Sequence, residues 1–177
     1  MKYSAIQGSV GMFTGFRRRG CPANRSGWIF PGRFGAAVGT EHHRCRTEEY
    51  QVDGIQLYVP GSVRSLIQAK HRGVDVKVVL DWKANNAKGS AGAAAMNLLV
   101  NAGIPVRTVS QFKIMHDKVI ITDGRNVETG SFNFSRAAAR SNSENALVIR
   151  DYPALAATYL QHWQSRWEMG TDWELEY

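Results

Sequence analysis

From residue 62 onward, short apolar runs alternate with segments of helical period, and this alternation restricts the fold more than any other property of the chain. Ser62 to His71 places Val63, Leu66, Ile67 and Lys70 at helical spacing, with Gly73 as the stop. Val74 to Leu80 is a nearly uninterrupted apolar run, as expected of a buried strand. Ser90 to Val100 is an Ala-rich helix closed by Asn101-Ala102-Gly103, and Ile104 to Val109 reads as the next strand. Met115 to Thr122 and Asn126 to Phe132 are strands joined by an Asp123-Gly124 turn, and Ala146 to Ile149 is one more. Pro153 to Glu168 is a helix with Leu155, Tyr159, Leu160, Trp163 and Trp167 along one side, a stripe expected in the core. Strands alternating with helices predict an α/β protein, a layered sheet flanked by helices, with residues 62–177 as one domain.

Residues 1–61 break this pattern. Glycine fills ten of these 61 positions, and Arg17-Arg18-Arg19 lies among them. Neither the strand period nor the helix period runs for long, so the segment is expected to be irregular. Its eight Lys/Arg against four Asp/Glu supply more than half of the chain's net charge of +7. The basic balance suggests an anionic partner, but most of the excess lies outside the ordered pattern. Cys21 and Cys45 share no C-x-x-C spacing and point to no redox role. His42, His43 and Cys45 make a poor metal set, so no metal and no cofactor are expected. No apolar run is long enough to span a membrane, so stable membrane insertion is not expected.

One stretch carries chemistry. His116-Asp117-Lys118 leads to Asp123, then to Gly130-Ser131-Phe132-Asn133, then to Glu144-Asn145. The pattern is H-x-K-x4-D, G-S-x-N, E-N. Side chains alternate along a strand, so His116 and Lys118 are expected on one face and Asp117 on the other. The imidazole can attack phosphorus while the ammonium neutralises the phosphodiester. Lys118 and Asn133 can donate to the non-bridging oxygens. Glu144 can accept the proton on the far ring nitrogen and fix the tautomer. Asp123, placed with the catalytic set by the motif, is expected to hold the turn. H-x-K-x4-D alone is a weak signal; the ordered additions make it specific.

The run H-D-K-V-I-I-T-D-G-R-N-V-E-T-G-S-F-N-F, followed by N-S-E-N, resembles the phospholipase D superfamily, most closely its small plasmid-borne bacterial endonucleases of the Nuc type. The likeness also takes in V-R-S-L-I-Q-A-K-H-R-G-V-D-V-K-V-V-L-D, A-A-M-N-L-L-V-N-A-G-I-P-V-R-T and H-W-Q-S-R-W, and so covers residues 62–177. It implies a histidine nucleophile at His116, phosphate-gripping roles for Lys118 and Asn133, an orienting role for Glu144, Ser131 lining the site, and catalysis without a metal.

Such chemistry needs a second histidine to protonate the leaving alkoxide and then activate water. The chain holds one H-x-K; His42, His43, His71 and His162 lack the partner lysine. A homodimer sharing one active site, with two copies of His116 facing each other, is therefore expected, as the resemblance also implies.

The resemblance further implies an opening strand–helix–strand that this chain lacks as written. Read one base out of register, the codons of residues 27–53 permit V-G-F-S-P-E-G-S-V-Q-R-L-V-L-N-I-I-D-A-A-Q-K-S-I-R-L-M. Those of residues 53–61 permit M-A-Y-S-F-T-S-P-D. This predicts a single-base slip near residue 7, restored near residue 62, leaving the N-terminal strand–helix–strand missing or garbled. In the shifted frame Gln7 to Cys21 permits a basic residue and then an apolar run like a secretory signal, implying a periplasmic or secreted protein.

The expected function is a non-specific phosphodiesterase acting on nucleic acid, DNA before RNA. One alternative is a phospholipase D acting on phospholipids with the same chemistry. The other is a catalytically dead remnant that grips nucleic acid through Lys118, Arg125, Arg136 and Arg140.

Overall fold

A computed structural model describes residues 49–54, 56–58 and 60–175. The elements run β1 (Glu49–Gly54), α1 (Pro60–His71), β2 (Asp75–Asp81), α2 (Trp82–Asn85), α3 (Ala91–Asn101), β3 (Val106–Val109), β4 (Lys118–Thr122), β5 (Asn126–Gly130), α4 (Arg136–Arg140), β6 (Ala146–Ile149), α5 (Pro153–Met169) and β7 (Thr171–Asp172). The seven strands form one mixed sheet in the order β6-β5-β4-β1-β2-β3-β7.

β1 is the seam of this sheet. It pairs parallel with β2 and antiparallel with β4. The chain therefore leaves β1 and β2 at the same end at which it enters β4. Side chains that meet there come from both halves of the sheet.

The two sheet faces bury different partners. Tyr50, Val52, Val76, Val78, Leu80, Val106 and Ile120 pack with Leu66 of α1 and with Met96 and Leu99 of α3. On the other face Val79, Val109, Val119, Ile121 and Val127 pack with Ala156 and Trp163 of α5. The strand period of two sorts these residues. Trp163 also donates its indole N–H to the Val52 carbonyl at 3.1 Å, tying α5 to the seam.

Local signals account for most boundaries. Ser90 caps α3 by accepting from the Ala93 N–H. Gly73 has φ +87°, as the expected stop requires. Asp123 (φ 55°) and Gly124 (φ 57°) make the β4–β5 turn in the left-handed region. The aromatic stripe of α5 does face the sheet, although Trp163 alone of its five residues is fully buried.

Three expectations change. The first 61 residues are not irregular throughout: Glu49–Gly54 is a central strand and α1 already begins at Pro60. β1 fits because Tyr50 and Val52 fill the α1–α3 core and its neighbours complete both hydrogen-bond ladders. Residues 1–48, with Cys21, His42, His43, Cys45 and the proposed leader, lie outside the described residues. β4 starts at Lys118, so His116 precedes the strand instead of lying on it. Short elements at 82–85, 136–140 and 171–172 join those read from the sequence.

Candidate active site

The catalytic segment is the loop end that runs into β4, and its flanking residues are fixed. The Met115 side chain is buried, and its N–H donates to Asp81 Oδ1 at 2.8 Å. Asp81 ends β2, is buried, and caps α2 by accepting from the Ala84 N–H at 2.8 Å. Both carboxylate oxygens of Asp81 are thereby engaged, and one of them holds the backbone beside His116. His116 itself is exposed.

Lys118 opens β4 opposite Gly54. It is 7% exposed, and its ammonium donates to the His116 carbonyl at 3.1 Å. Burial lowers its pKa; Asp117 and Glu144 act in the opposite direction and favour the charged form. The result is a sheltered cation beside an exposed imidazole, suited to holding a phosphate against a nucleophile.

The glycine and serine of G-S-x-N have structural work. A Cβ on Gly130 would run into the Asn145 carbonyl oxygen and lie 2.9 Å from Ala146 Cα, so only glycine lets β5 approach β6 here. Ser131 donates to Glu144 Oε2 and accepts from the Asn145 N–H at 3.0 Å. Its own N–H donates to the Asn145 carbonyl at 3.1 Å. Asn142 donates to the other Glu144 oxygen at 2.9 Å. The Ser131 hydrogen bond, then Asn142 and the Lys118 charge, hold Glu144 below its ordinary carboxylate pKa. Asn133 Oδ1 is buried, with no donor among the described residues.

Lys118 and Glu144 thus come within electrostatic reach of each other, with Ser131 as the link to the E-N segment. Among the described residues Glu144 is hydrogen-bonded to Ser131 and Asn142. The structure differs from expectation at two points. Ser131 orients that carboxylate rather than merely lining the site. Asp123 is at the opposite end of β4, about 16 Å from Lys118 at the usual rise per residue. There its carboxylate accepts from the Glu49 N–H at 3.2 Å, so it is a turn and strand anchor and not part of this site. Arg125 shares that far end, where it faces Asp151 at 3.7 Å.

The sequence reading missed the support behind the segment. Asp117 faces α5, where its Oδ2 lies 3.2 Å from His162 Nε2 and 3.7 Å from Arg166 Nε. Asp53 of β1 is on the same face, completely buried against Asp117. Burial first, then the adjacent Asp117 charge, push its pKa up to about 8, against the opposing pull of Arg166. The available signal was the i, i+4 pair His162/Arg166 beside the tryptophan stripe. Asp53, Asp117 and His162 each offer a ligand atom within 4.8 Å of the others, a spacing that suits a cation. The Arg166 guanidinium already brings positive charge to that place.

Known proteins resemble this chain in sequence and in fold. The family described as cardiolipin synthase, PLD-like domain, matches residues 45–167. The crystal structure of a phospholipase D family member, Nuc from Salmonella typhimurium, is 50% identical with a TM-score of 0.69, covering 73% of this chain and 83% of that one. A curated phospholipase D of Rickettsia bellii is 45% identical over 102 residues, 58% of this chain and 48% of the relative. A mitochondrial cardiolipin hydrolase of Chlamydomonas reinhardtii is 34% identical over 104 residues, 59% of this chain and 44% of the relative. The chain spans about half the length of these curated relatives.

Proposed function

The chain belongs to the phospholipase D-like family, and on that premise we propose that it is a metal-independent phosphodiesterase that cuts nucleic acid through a phosphohistidine intermediate. The observation that carries the reading is the sheltered Lys118 ammonium, held next to exposed His116 and within reach of ionised Glu144.

Lys118 neutralises the phosphodiester and keeps it against the imidazole. A neutral His116 nitrogen attacks phosphorus, a P–N bond forms and the P–O bond to the leaving group breaks. His116 of a second copy, protonated, gives its proton to the departing alkoxide. The same ring, now neutral, takes a proton from water as that water attacks phosphorus, and the P–N bond breaks to free His116. Lys118 and Asn133 steady the charge on the non-bridging oxygens throughout. Two copies are required because each supplies one ring.

Nucleic acid is favoured over lipid by α4. Arg136 and Arg140 are exposed just after Asn133, and among the described residues neither meets a carboxylate. They suit a run of phosphates. No described helix is long and apolar enough to cross a membrane. Phospholipid is the second reading, favoured by the names of the Rickettsia and Chlamydomonas relatives.

The test offers plasmid DNA and labelled phosphatidylcholine vesicles to the protein with EDTA present. DNA cleavage is expected. Vesicle hydrolysis alone supports the lipid reading, and salt-sensitive DNA retention without cleavage supports a binding remnant. Mixed dimers carrying one His116→Ala subunit should be nearly inactive; full activity per wild-type subunit would exclude a shared site.

A further inference from the structure

We propose that α5 positions the attacking histidine: His162 and Arg166, acting through Asp117, hold the 112–118 segment in its working geometry. The inference rests on the phosphodiesterase reading of His116.

Asp117 is the residue between the histidine and the lysine, and its side chain goes to the opposite face of the sheet. There a single oxygen, Oδ2, receives both α5 groups, His162 at 3.2 Å and Arg166 at 3.7 Å. The two are one helical turn apart, so α5 presents them together. Arg166 is itself fixed: it donates to Ser165 Oγ at 3.0 Å, and its guanidinium lies 4.9 Å from the centre of the Phe112 ring. Phe112 belongs to the same loop as His116. α5 therefore grips this loop at Phe112 and at Asp117, while Asp81 grips it at Met115. His116 is the exposed residue in the middle of a braced segment.

The grip acts on local order more than on global stability. Part-exposed ion pairs contribute little to unfolding free energy. Holding a reacting group within a fraction of an ångström of its attack geometry, however, is worth a large factor in rate. Asp53, directly behind Asp117 and hydrogen-bonded to it, makes Arg166 more important, because the α5 cation then faces a pair of carboxyl groups.

The experiment measures hydrogen–deuterium exchange of the Met115–Lys118 amides in the full chain. It compares wild type with His162→Ala, Arg166→Ala and the double variant, and uses Gln164→Ala, on the exposed side of α5, as the control. Exchange in the double variant should rise roughly tenfold in this segment and stay unchanged in β2. On DNA, kcat should fall roughly 10- to 100-fold with KM nearly unchanged, and His162→Gln, which keeps a donor, should recover part of it. Unchanged exchange in the double variant overturns the proposal, as does a loss confined to KM. If EDTA alone loosens the wild-type segment, a bound cation holds Asp117 and the proposal also fails. A wild-type chain that cleaves no phosphodiester sinks the functional reading, while the exchange data still decide this one.

Discussion

β1 and β4 are neighbours at the centre of one sheet, yet they are built on opposite terms. Every described residue of β4 is buried, and the polar atoms at its two ends have partners: Lys118 reaches the His116 carbonyl, and Thr122 accepts from Asn126 at 3.0 Å. β1 is buried from Tyr50 onward but leaves Gln51 Oε1 without a donor and buries the Asp53 carboxyl against that of Asp117. Buried polar groups in that state oppose folding. β4 is a strand on its own merits, whereas β1 is held in place by the strands on either side and by Trp163. The shifted reading of the codons puts methionine at position 53, a residue that would bring no polar atom to that spot. A central strand can thus be imposed by its surroundings on a sequence that would not choose it.

Substitutions in the two strands should consequently move different readouts. The largest effect is expected from the β4 side. His116→Ala should lower DNA cleavage by roughly 10³- to 10⁴-fold while leaving the urea midpoint unchanged, since the ring is exposed. A large shift in midpoint would mean that the histidine is structural and the contrast misplaced.

Asp53→Met comes next and should act only on stability. The acid's pKa is raised from 3.8 to about 8 in the folded chain. Between those values the folded state holds a proton that the unfolded state has lost, so wild-type stability should fall as pH rises from 4 to 8. The slope approaches about 1.4 kcal/mol per pH unit. Asp53→Met should flatten that slope and gain on the order of a few kcal/mol at pH 8, with cleavage preserved. Urea titrations from pH 4 to 9 would show it; a steep slope surviving in the variant would relieve Asp53 of the blame.

Glu128→Gln sharpens the comparison by moving it to β5. Glu128 is buried there, and burial alone pushes its pKa from 4.5 up to about 7. Its contribution also declines as pH rises, over the narrower window from 4.5 to 7, so the gain at pH 8 should be smaller than at Asp53. Equal gains would mean that the Asp117 charge adds nothing to the penalty at Asp53. The smallest effect belongs to Arg136→Ala and Arg140→Ala. Each should weaken DNA retention in all sequence contexts and reduce the salt slope by about 1. An unchanged slope would take α4 out of the substrate path.

These contrasts follow what could be read from residues alone. α1, β2, α3, β6 and α5 were legible to within about two residues because their apolar periods are undisturbed. β1 was not, because Glu49, Gln51, Asp53 and Gly54 leave just two apolar residues in six. At the site, Lys118, Ser131 and Glu144 could be named from spacing. Their connections could not: that Ser131 holds Glu144 depends on how closely β5 approaches β6. Asp117 and His162 are 45 residues apart, and only the packing of α5 on the sheet brings them together.

The change of strand direction at β1 has a consequence for how such a molecule can diversify. Because the chain enters β4 where it leaves β1 and β2, residues 110–114 form a loop that leads into the histidine, an eave outside the sheet. Lengthening that eave would change which polymers or lipids reach the ring without disturbing a single ladder pair. The reaction would stay where it is while the diet drifted.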